Sequence, residues 1–289
     1  MNAPKGKPRS SASSKRTASS GPPWLWIAGV AIVLVGVALV VASTGGGNDA
    51  PKGLPEFGRV AAPESVVAPV VSIPSSVTNQ VGAGSIAQLP TRIAGTPATG
   101  KPEVLYIGAE FCPFCAAERW SIVNALSRFG RFTNLQATHS SATDSFPNTA
   151  TFSFYGSSYQ SDLLTFTPVE VQTNEPQGQS YKLLQRPTDA QDAIWGQFSP
   201  GGQKGYPFLY LDGRFTTEAI HYDPGVLAGL SLDSIANTMA SETTGPVAQQ
   251  ETGGANVLTA ALCEITKGQP TTTCDQPAII ALRAKLPTK

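Results

Sequence analysis

Cys112 and Cys115, spaced C-x-x-C within LYIGAEFCPFCAAERW, are the residues of this chain best placed to do chemistry. Two thiols one helical turn apart can close a disulfide, and the thiolate of such a pair can attack a disulfide in another molecule. If a helix begins at Pro113, whose missing N–H has no partner in a first turn anyway, Cys112 is its N-cap. The Cys112 sulfur then faces free N–H groups and the positive end of the helix dipole, which favour thiolate over thiol. Cys112 is therefore the candidate nucleophile, and Cys115, a turn further on, the candidate resolving thiol. Two other readings of the spacing stay open, half of a zinc site and a purely structural disulfide. Zinc would want a second ligand pair, and the only histidines, His139 and His221, stand in no ligand spacing with another candidate.

The elements that must hold this pair are legible on either side of it. The apolar run Val104 to Ile107 reads as a strand rising into the cysteines, and a helical pattern follows through Trp120, Val123 and Leu126 toward Gly130. A short helical piece is expected around Val77 to Val81, and Leu135 to His139 reads as a second strand. The stretch Thr149 to Gln172 clusters β-formers, among them Phe152, Phe154 and Phe166, and is expected to be an added β-hairpin. Thr188 with Gln191 three residues later is a capping box that opens a helix carrying Ile194, Trp195 and Phe198. A glycine-rich loop, Pro200 to Gly205, leads to YPFLYLDGRF. That segment reads as a strand over Phe208 to Leu211, an Asp212-Gly213 turn and a returning strand from Phe215 to His221. Asp223 to Met239 is expected to be helical and Ser241 to Ala255 a polar loop. Asn256 to Leu286 reads as two helices joined by the segment between Cys263 and Cys274.

The 289 residues are 14% charged and carry no formal net charge. The balance hides an asymmetry, because residues 1–22 contain Lys5, Lys7, Arg9, Lys15 and Arg16 and no acid. The remainder is mildly acidic, which argues against nucleic acid as a partner of the folded part. From Trp24 to Ser43 the chain is uncharged and long enough to cross a bilayer as a helix. The basic residues before it place the N-terminus in the cytoplasm and the bulk of the chain outside. A cleaved signal peptide is the competing reading, with Val40-Val41-Ala42 as a tolerable cleavage site, but the apolar run exceeds the roughly 7–15 residues of a signal core. The expected organisation is a disordered tail over 1–22, a transmembrane helix over 23–43, a flexible linker over 44–74 and one folded domain over 75–289. Cys263 and Cys274, a C-x10-C pair, suit a structural disulfide in an oxidising compartment; relay of electrons to Cys112 is the alternative.

The order strand, CxxC, helix, strand, insertion, then x-Pro feeding a β-hairpin and a last helix resembles that of thioredoxin-like oxidoreductases. AEFCPFC resembles their active-site segment, with a Pro-aromatic dipeptide closest to glutaredoxins. The resemblance implies an α/β, thioredoxin-like fold, here with a β-rich insertion and a C-terminal helical extension. Tyr206-Pro207 stands where that fold keeps a cis-proline facing the disulfide, so these two residues would position a substrate chain beside Cys112. With its anchor, its TFSFYG segment and its C-terminal cysteine pair, the wider chain is similar to an uncharacterised thioredoxin-like family of bacterial and archaeal proteins, a domain of unknown function that brings no activity with it.

One departure from the resemblance matters. Thioredoxins keep a buried aspartate six residues before the first cysteine, and Tyr106 occupies that position here. Glu110 and Glu118 are the candidate replacements as acid or base; the ordinary alternative is an exposed carboxylate paired with a neighbour such as Arg119. Phe111, Phe114 and Tyr206 could rim a groove for unfolded protein, whereas Trp120 and Trp195 read as core. The expected function is a membrane-anchored, extracytoplasmic thiol–disulfide oxidoreductase. It would act through CPFC on exported cysteine-containing proteins, served by a membrane or extracytoplasmic redox partner, with no dissociable cofactor and no metal. A non-catalytic scaffold for a membrane or exported partner is the first alternative, and a CxxC that carries copper or zinc the second.

Overall fold

The computed structural model describes residues 49–218 and 222–288. Strand β1 (Val60–Ala61) leads into helices α1 (Glu64–Val71) and α2 (Ser75–Val81), entered from Pro63 and Pro74. Strands β2 (Thr91–Arg92) and β3 (Glu103–Gly108) precede α3 (Pro113–Ser127). Then come β4 (Arg131–Thr133), β5 (Gln136–His139), β6 (Ala150–Ser153), β7 (Ser158–Gln160), β8 (Thr165–Glu170), β9 (Gln172–Gln177) and β10 (Ser180–Leu183). Helix α4 (Asp189–Phe198) opens with the complete Thr188/Gln191 capping box and is followed by the hairpin β11 (Phe208–Leu211) and β12 (Phe215–Glu218). The chain closes with α5 (Leu232–Ser241), α6 (Gly253–Ile265), α7 (Thr271–Cys274) and α8 (Pro277–Arg283).

The sheet that carries the cysteines runs β2-β12-β11-β3-β8, with β3 parallel to β8 and antiparallel to β11. Strand β3 is apolar on both faces because both faces are covered. Its Val104 and Tyr106, with Leu209 and Leu211 of β11, join the core that α3 and α6 complete with Ile122, Leu126, Leu258 and Leu262. Its Leu105 and Ile107, with Phe208 and Tyr210, face the opposite way and meet Trp195 of α4. Helix α3 is thus enclosed between the sheet and α6, and every residue from Cys115 to Leu126 is buried. Two bonds fix α3 against β6: the Trp120 indole donates to the Ala150 carbonyl at 3.0 Å, and the Thr151 hydroxyl to the Ala116 carbonyl at 2.7 Å.

The expected fold class is corrected. The described residues form a mixed α/β structure with four sheets, and no helix among them is long and apolar enough to cross a membrane. A thioredoxin-like domain behind a single transmembrane helix is therefore not the architecture found. The span expected at 23–43 and the tail at 1–22 lie outside the described residues. The β-rich stretch after α3 is not an added hairpin either: β6 pairs with β5, β7 with β4, and β8 enters the central sheet beside β3.

Order also reaches further back than the expected linker. Strand β1 pairs with β5, α1 buries Val66 and Val70, and Asn124 of α3 donates to the Val70 carbonyl at 2.7 Å. Pro224 and Gly225 restrict the start of the expected 223–239 helix to a single 3-10 turn, Pro224–Leu227, ahead of α5. The expected polar loop over 241–255 instead contains a π-helical turn, Ala248–Thr252, that runs directly into α6 with Gln250, Glu251 and Thr252 buried. Cys263 and Cys274 are disulfide-bonded, tying α6 to α7, while Cys112 and Cys115 are free thiols.

Candidate active site

Cys112 caps α3 in the way its sequence requires. The chain at Cys112 is extended (φ −76°, ψ 121°), Pro113 takes the first helical position, and the Cys115 backbone N–H donates to Cys112 Sγ at 3.3 Å. Both thiols are buried: Cys112 is 6% exposed and Cys115 is fully enclosed, so Cys112 is the one of the two that touches solvent. Their proton affinities diverge as well. The Cys112 thiol is lowered, first by its hydrogen bond with the Cys115 side chain and, against burial, by the backbone N–H of Cys115 and the charge of Arg119. The Cys115 thiol is raised by burial, by that same hydrogen bond and by the Cys112 charge.

The positive charge behind the pair comes from Arg119, one turn beyond Cys115 and fully buried. Its Nε and Nη2 grip the two carboxylate oxygens of Glu170 at 2.9 and 2.6 Å, and Nη2 also donates to the Ala109 carbonyl at 2.8 Å. Burial opposes the Arg119 charge, but the Glu170 carboxylate more than offsets it and keeps the guanidinium protonated. Glu170 ends β8, so the parallel pairing of β3 with β8 sets this ion pair beside the cysteines. Tyr106, in the position where thioredoxins carry an acid, is enclosed, and burial raises its phenol well above the ordinary range despite Arg119. It stays a neutral hydroxyl and offers no base.

Neither candidate glutamate is an exposed carboxylate paired with Arg119. Glu110 is held by Arg59, whose Nη1 lies 2.9 Å from both carboxylate oxygens, and by Ser153 at 2.6 Å. Burial and then Glu170 raise its carboxyl, against Ser153 and Arg59. Its partners make it an anchor for the incoming segment rather than a proton carrier. Glu118 is the better-placed acid. It lies one turn after Cys115 on the same enclosed face of α3, with one oxygen accepting from the Thr217 hydroxyl at 3.2 Å and the other without a partner. Burial, opposed by Thr217 and reinforced by the Cys112 charge, pushes its carboxyl up to about 8.

The mouth at Cys112 is aromatic. Tyr181 stacks on Phe111 with centroids 4.1 Å apart, Phe111 meets Tyr206 edge-on at 6.1 Å, and Tyr206 stacks on Trp195 at 5.3 Å. Phe114 meets Phe146 edge-on at 6.0 Å. The Tyr206–Pro207 peptide bond is cis, and Tyr206 packs on the cysteine cluster. Phe111, Phe114 and Tyr206 are thus brought together as expected, and Trp195 is both core and the last ring of the row. Among the described residues no group of three or more His, Cys, Asp and Glu side chains converges as a metal site would. Cys263 and Cys274 lie in the C-terminal helices and contribute no side chain to this mouth.

Residues 92–185 match the family model described as a domain of unknown function, DUF929. The matched stretch is about a third of the chain. It contains β3, α3, both cysteines, Arg119 and Glu170, and leaves out Arg59, Tyr206, Pro207 and the C-terminal cysteine pair. The expected likeness to an uncharacterised family is met over this stretch, and the match carries no activity. No curated protein and no solved structure matches the chain.

Sequence reasoning missed Arg59, Glu170 and Tyr181, each far from the cysteines along the chain and marked by no spacing. It also missed Ser121 and Glu251, the buried continuation of the Glu118 face. Here a signal was present, since Cys115, Glu118 and Ser121 recur every three residues along one face of the helical pattern.

Proposed function

We propose that this protein is an extracytoplasmic thiol–disulfide oxidoreductase that acts on the cysteines of other proteins. The observation that carries the reading is the Cys112 sulfur at the N-cap of α3, hydrogen-bonded by the Cys115 N–H and opening on an aromatic mouth, with an enclosed thiol one turn behind it. The Cys263–Cys274 disulfide supports an oxidising compartment. The likeness of AEFCPFC and Tyr206-Pro207 to the active-site residues of thioredoxin-type enzymes supports the same chemistry.

In the reducing direction the Cys112 thiolate attacks one sulfur of a substrate disulfide. The substrate S–S bond breaks, one substrate sulfur leaves with the electron pair, and a Cys112–substrate disulfide forms. Cys115 then gives up its proton and attacks Cys112 Sγ. The intramolecular disulfide forms, the second substrate sulfur leaves with its electron pair and takes a proton, and the enzyme dithiol has been oxidised as the substrate was reduced. Donation of a disulfide is the same sequence reversed.

A Cys115→Ala variant is the direct test, because it cannot resolve the mixed disulfide and should accumulate covalent, thiol-reversible adducts with exported proteins. Equilibration of the Cys112–Cys115 pair in glutathione buffers gives the direction: near about −120 mV the pair donates disulfides, near about −270 mV it reduces them. The second reading, a non-catalytic scaffold with a structural bridge, is favoured by how little of Cys112 is open to solvent. A pair that stays oxidised far below about −300 mV and yields no adduct selects that reading.

A further inference from the structure

Cys115, Glu118 and Ser121 form a polar stripe along the enclosed face of α3, and the stripe does not end at Ser121. The Ser121 hydroxyl lies 3.1 Å from Glu251 Oε2 and 2.8 Å from the Glu251 carbonyl, so a second buried carboxyl, from the π-helical turn before α6, closes on the stripe one turn beyond Glu118. Glu251 Oε1 accepts from the Gln250 side chain at 2.8 Å, and Gln250 in turn holds both the N–H and the carbonyl of Asp223. The Tyr222 hydroxyl reaches the same place. A Cβ on Gly254 would lie 2.5 Å from the Tyr222 hydroxyl and 2.7 Å from Ser121 Oγ, so only glycine leaves room for the two to converge.

Beside this group is a cavity of about 10 Å³, about the size of one water and apolar over most of its wall, to which Gln88, Glu118, Thr217 and Tyr222 contribute. Gln88 and Tyr222 also line an open cleft of about 450 Å³, together with Asp223 and Gln250. None of the residues that rim Cys112 lines that cleft.

Resting on the redox reading above, we infer that Glu118 and Glu251 are a paired proton store for Cys115, joined through Ser121 and Tyr222 and exchanging with solvent through the Gln88–Tyr222 cleft. The need for such a route follows from access. Cys115 is sealed, and a protein substrate seated on Cys112 closes the mouth, so the proton that leaves Cys115 as its sulfur attacks the mixed disulfide must travel inward. Glu118, one turn away, accepts it; the reverse reaction returns it to the Cys115 sulfur as that sulfur leaves the disulfide. Two carboxyls that repel one another across Ser121 and Tyr222 titrate as a pair and hold a proton near neutral pH. Burial pushes both up to about 8, and each raises or is raised by its neighbours: Cys112 raises Glu118, and Glu118 raises Glu251. The other ionisable groups facing the pair are Arg119 on α3, Tyr106 on β3, and Tyr222 before α5.

The test uses full-length protein carrying glutathione on Cys112, and follows glutathione release as Cys115 closes the disulfide across a pH series. Glu251→Gln, close in size and still able to meet Ser121 and Gln250, should lower the inflection near pH 8 by about one unit, a tenfold change in proton affinity. It should leave the alkylation rate of Cys112 unchanged. Ser121→Ala removes a hydrogen bond from the Glu251 carboxylate and should move the inflection up. It serves as the second variant if Glu251→Gln does not fold. An inflection that neither variant moves, with closure intact, overturns the paired store and leaves the redox reading standing. Failure of wild-type protein to close the disulfide at all overturns the redox reading itself.

Discussion

Replacing Arg119 with methionine tests the electrostatic argument at its centre. The guanidinium makes three hydrogen bonds of 2.6 to 2.9 Å, two to Glu170 and one to the Ala109 carbonyl, and both side chains of the ion pair are fully buried. Methionine fills a similar volume but leaves Glu170 with the Phe154 N–H at 3.2 Å as its one remaining donor to the carboxylate. Breaking a buried pair by removing one partner costs about 3–5 kcal/mol, since the other charge stays behind uncompensated. Against the 5–15 kcal/mol typical of a folded domain that loss is large.

Arg119→Met/Glu170→Gln, which removes both charges, should recover most of the loss. In both variants the Cys112 thiol should rise, because the charge that helps hold it down is gone. Urea unfolding of the reduced protein measures the first effect, and the ultraviolet absorbance of the thiolate against pH measures the second. If Arg119→Met costs less than about 1 kcal/mol, the range of an exposed pair, and the Cys112 titration is unmoved, the buried pair neither supports the site nor tunes it.

Three further outcomes follow from the same structure. Folded protein binds more protons than unfolded protein wherever Glu118 and Glu251 sit between their ordinary value of 4.5 and the raised value of about 8, so their burial costs stability progressively as pH rises through that window. Relative to wild type, Glu118→Gln/Glu251→Gln should therefore gain stability from pH 5 to pH 8 in urea titrations, and a difference that stays flat would refute the buried-acid assignment. Removing the Cys263–Cys274 disulfide by a double alanine substitution opens a loop of sequence separation 11 and should cost about 3 kcal/mol in the same assay. A loss below about 1 kcal/mol would show that the bridge does not restrain the C-terminal helices. Gly84→Ala should destabilise by more than about 1 kcal/mol, because Gly84 has φ +56° and a Cβ would fall 1.8 Å from the Gln249 carbonyl oxygen; an unchanged midpoint would contradict the close approach of these segments.

What the amino-acid sequence determines on its own here is local. Cys112 as an N-cap, Pro113 behind it, β3 as a doubly covered strand, the Thr188/Gln191 cap and the Asp212-Gly213 hairpin each depend on residues a few positions apart, and each stands in the structure where the spacing puts it. The tertiary structure decides the rest. Arg119 meets Glu170 across 51 residues, Arg59 meets Glu110 across 51, and Ser121 meets Glu251 across 130. No period in the chain announces such pairs.

Burial is decided at the same level. A glutamate inside α3 or in the 241–255 stretch is written the same way whether it faces water or an enclosed serine. The polar run Gln249 to Thr252 reads as a loop until α6, α3 and the Tyr222 segment close around it. Likewise the β-formers of 149–172 show that strands form there, but strand partners are chosen by the packing of the whole sheet, which places β8 beside β3 and Glu170 beside Arg119. The pair of thiols was legible because its chemistry is set by one helical turn. Their electrostatic surroundings were not, because a buried charge is defined by what folds over it.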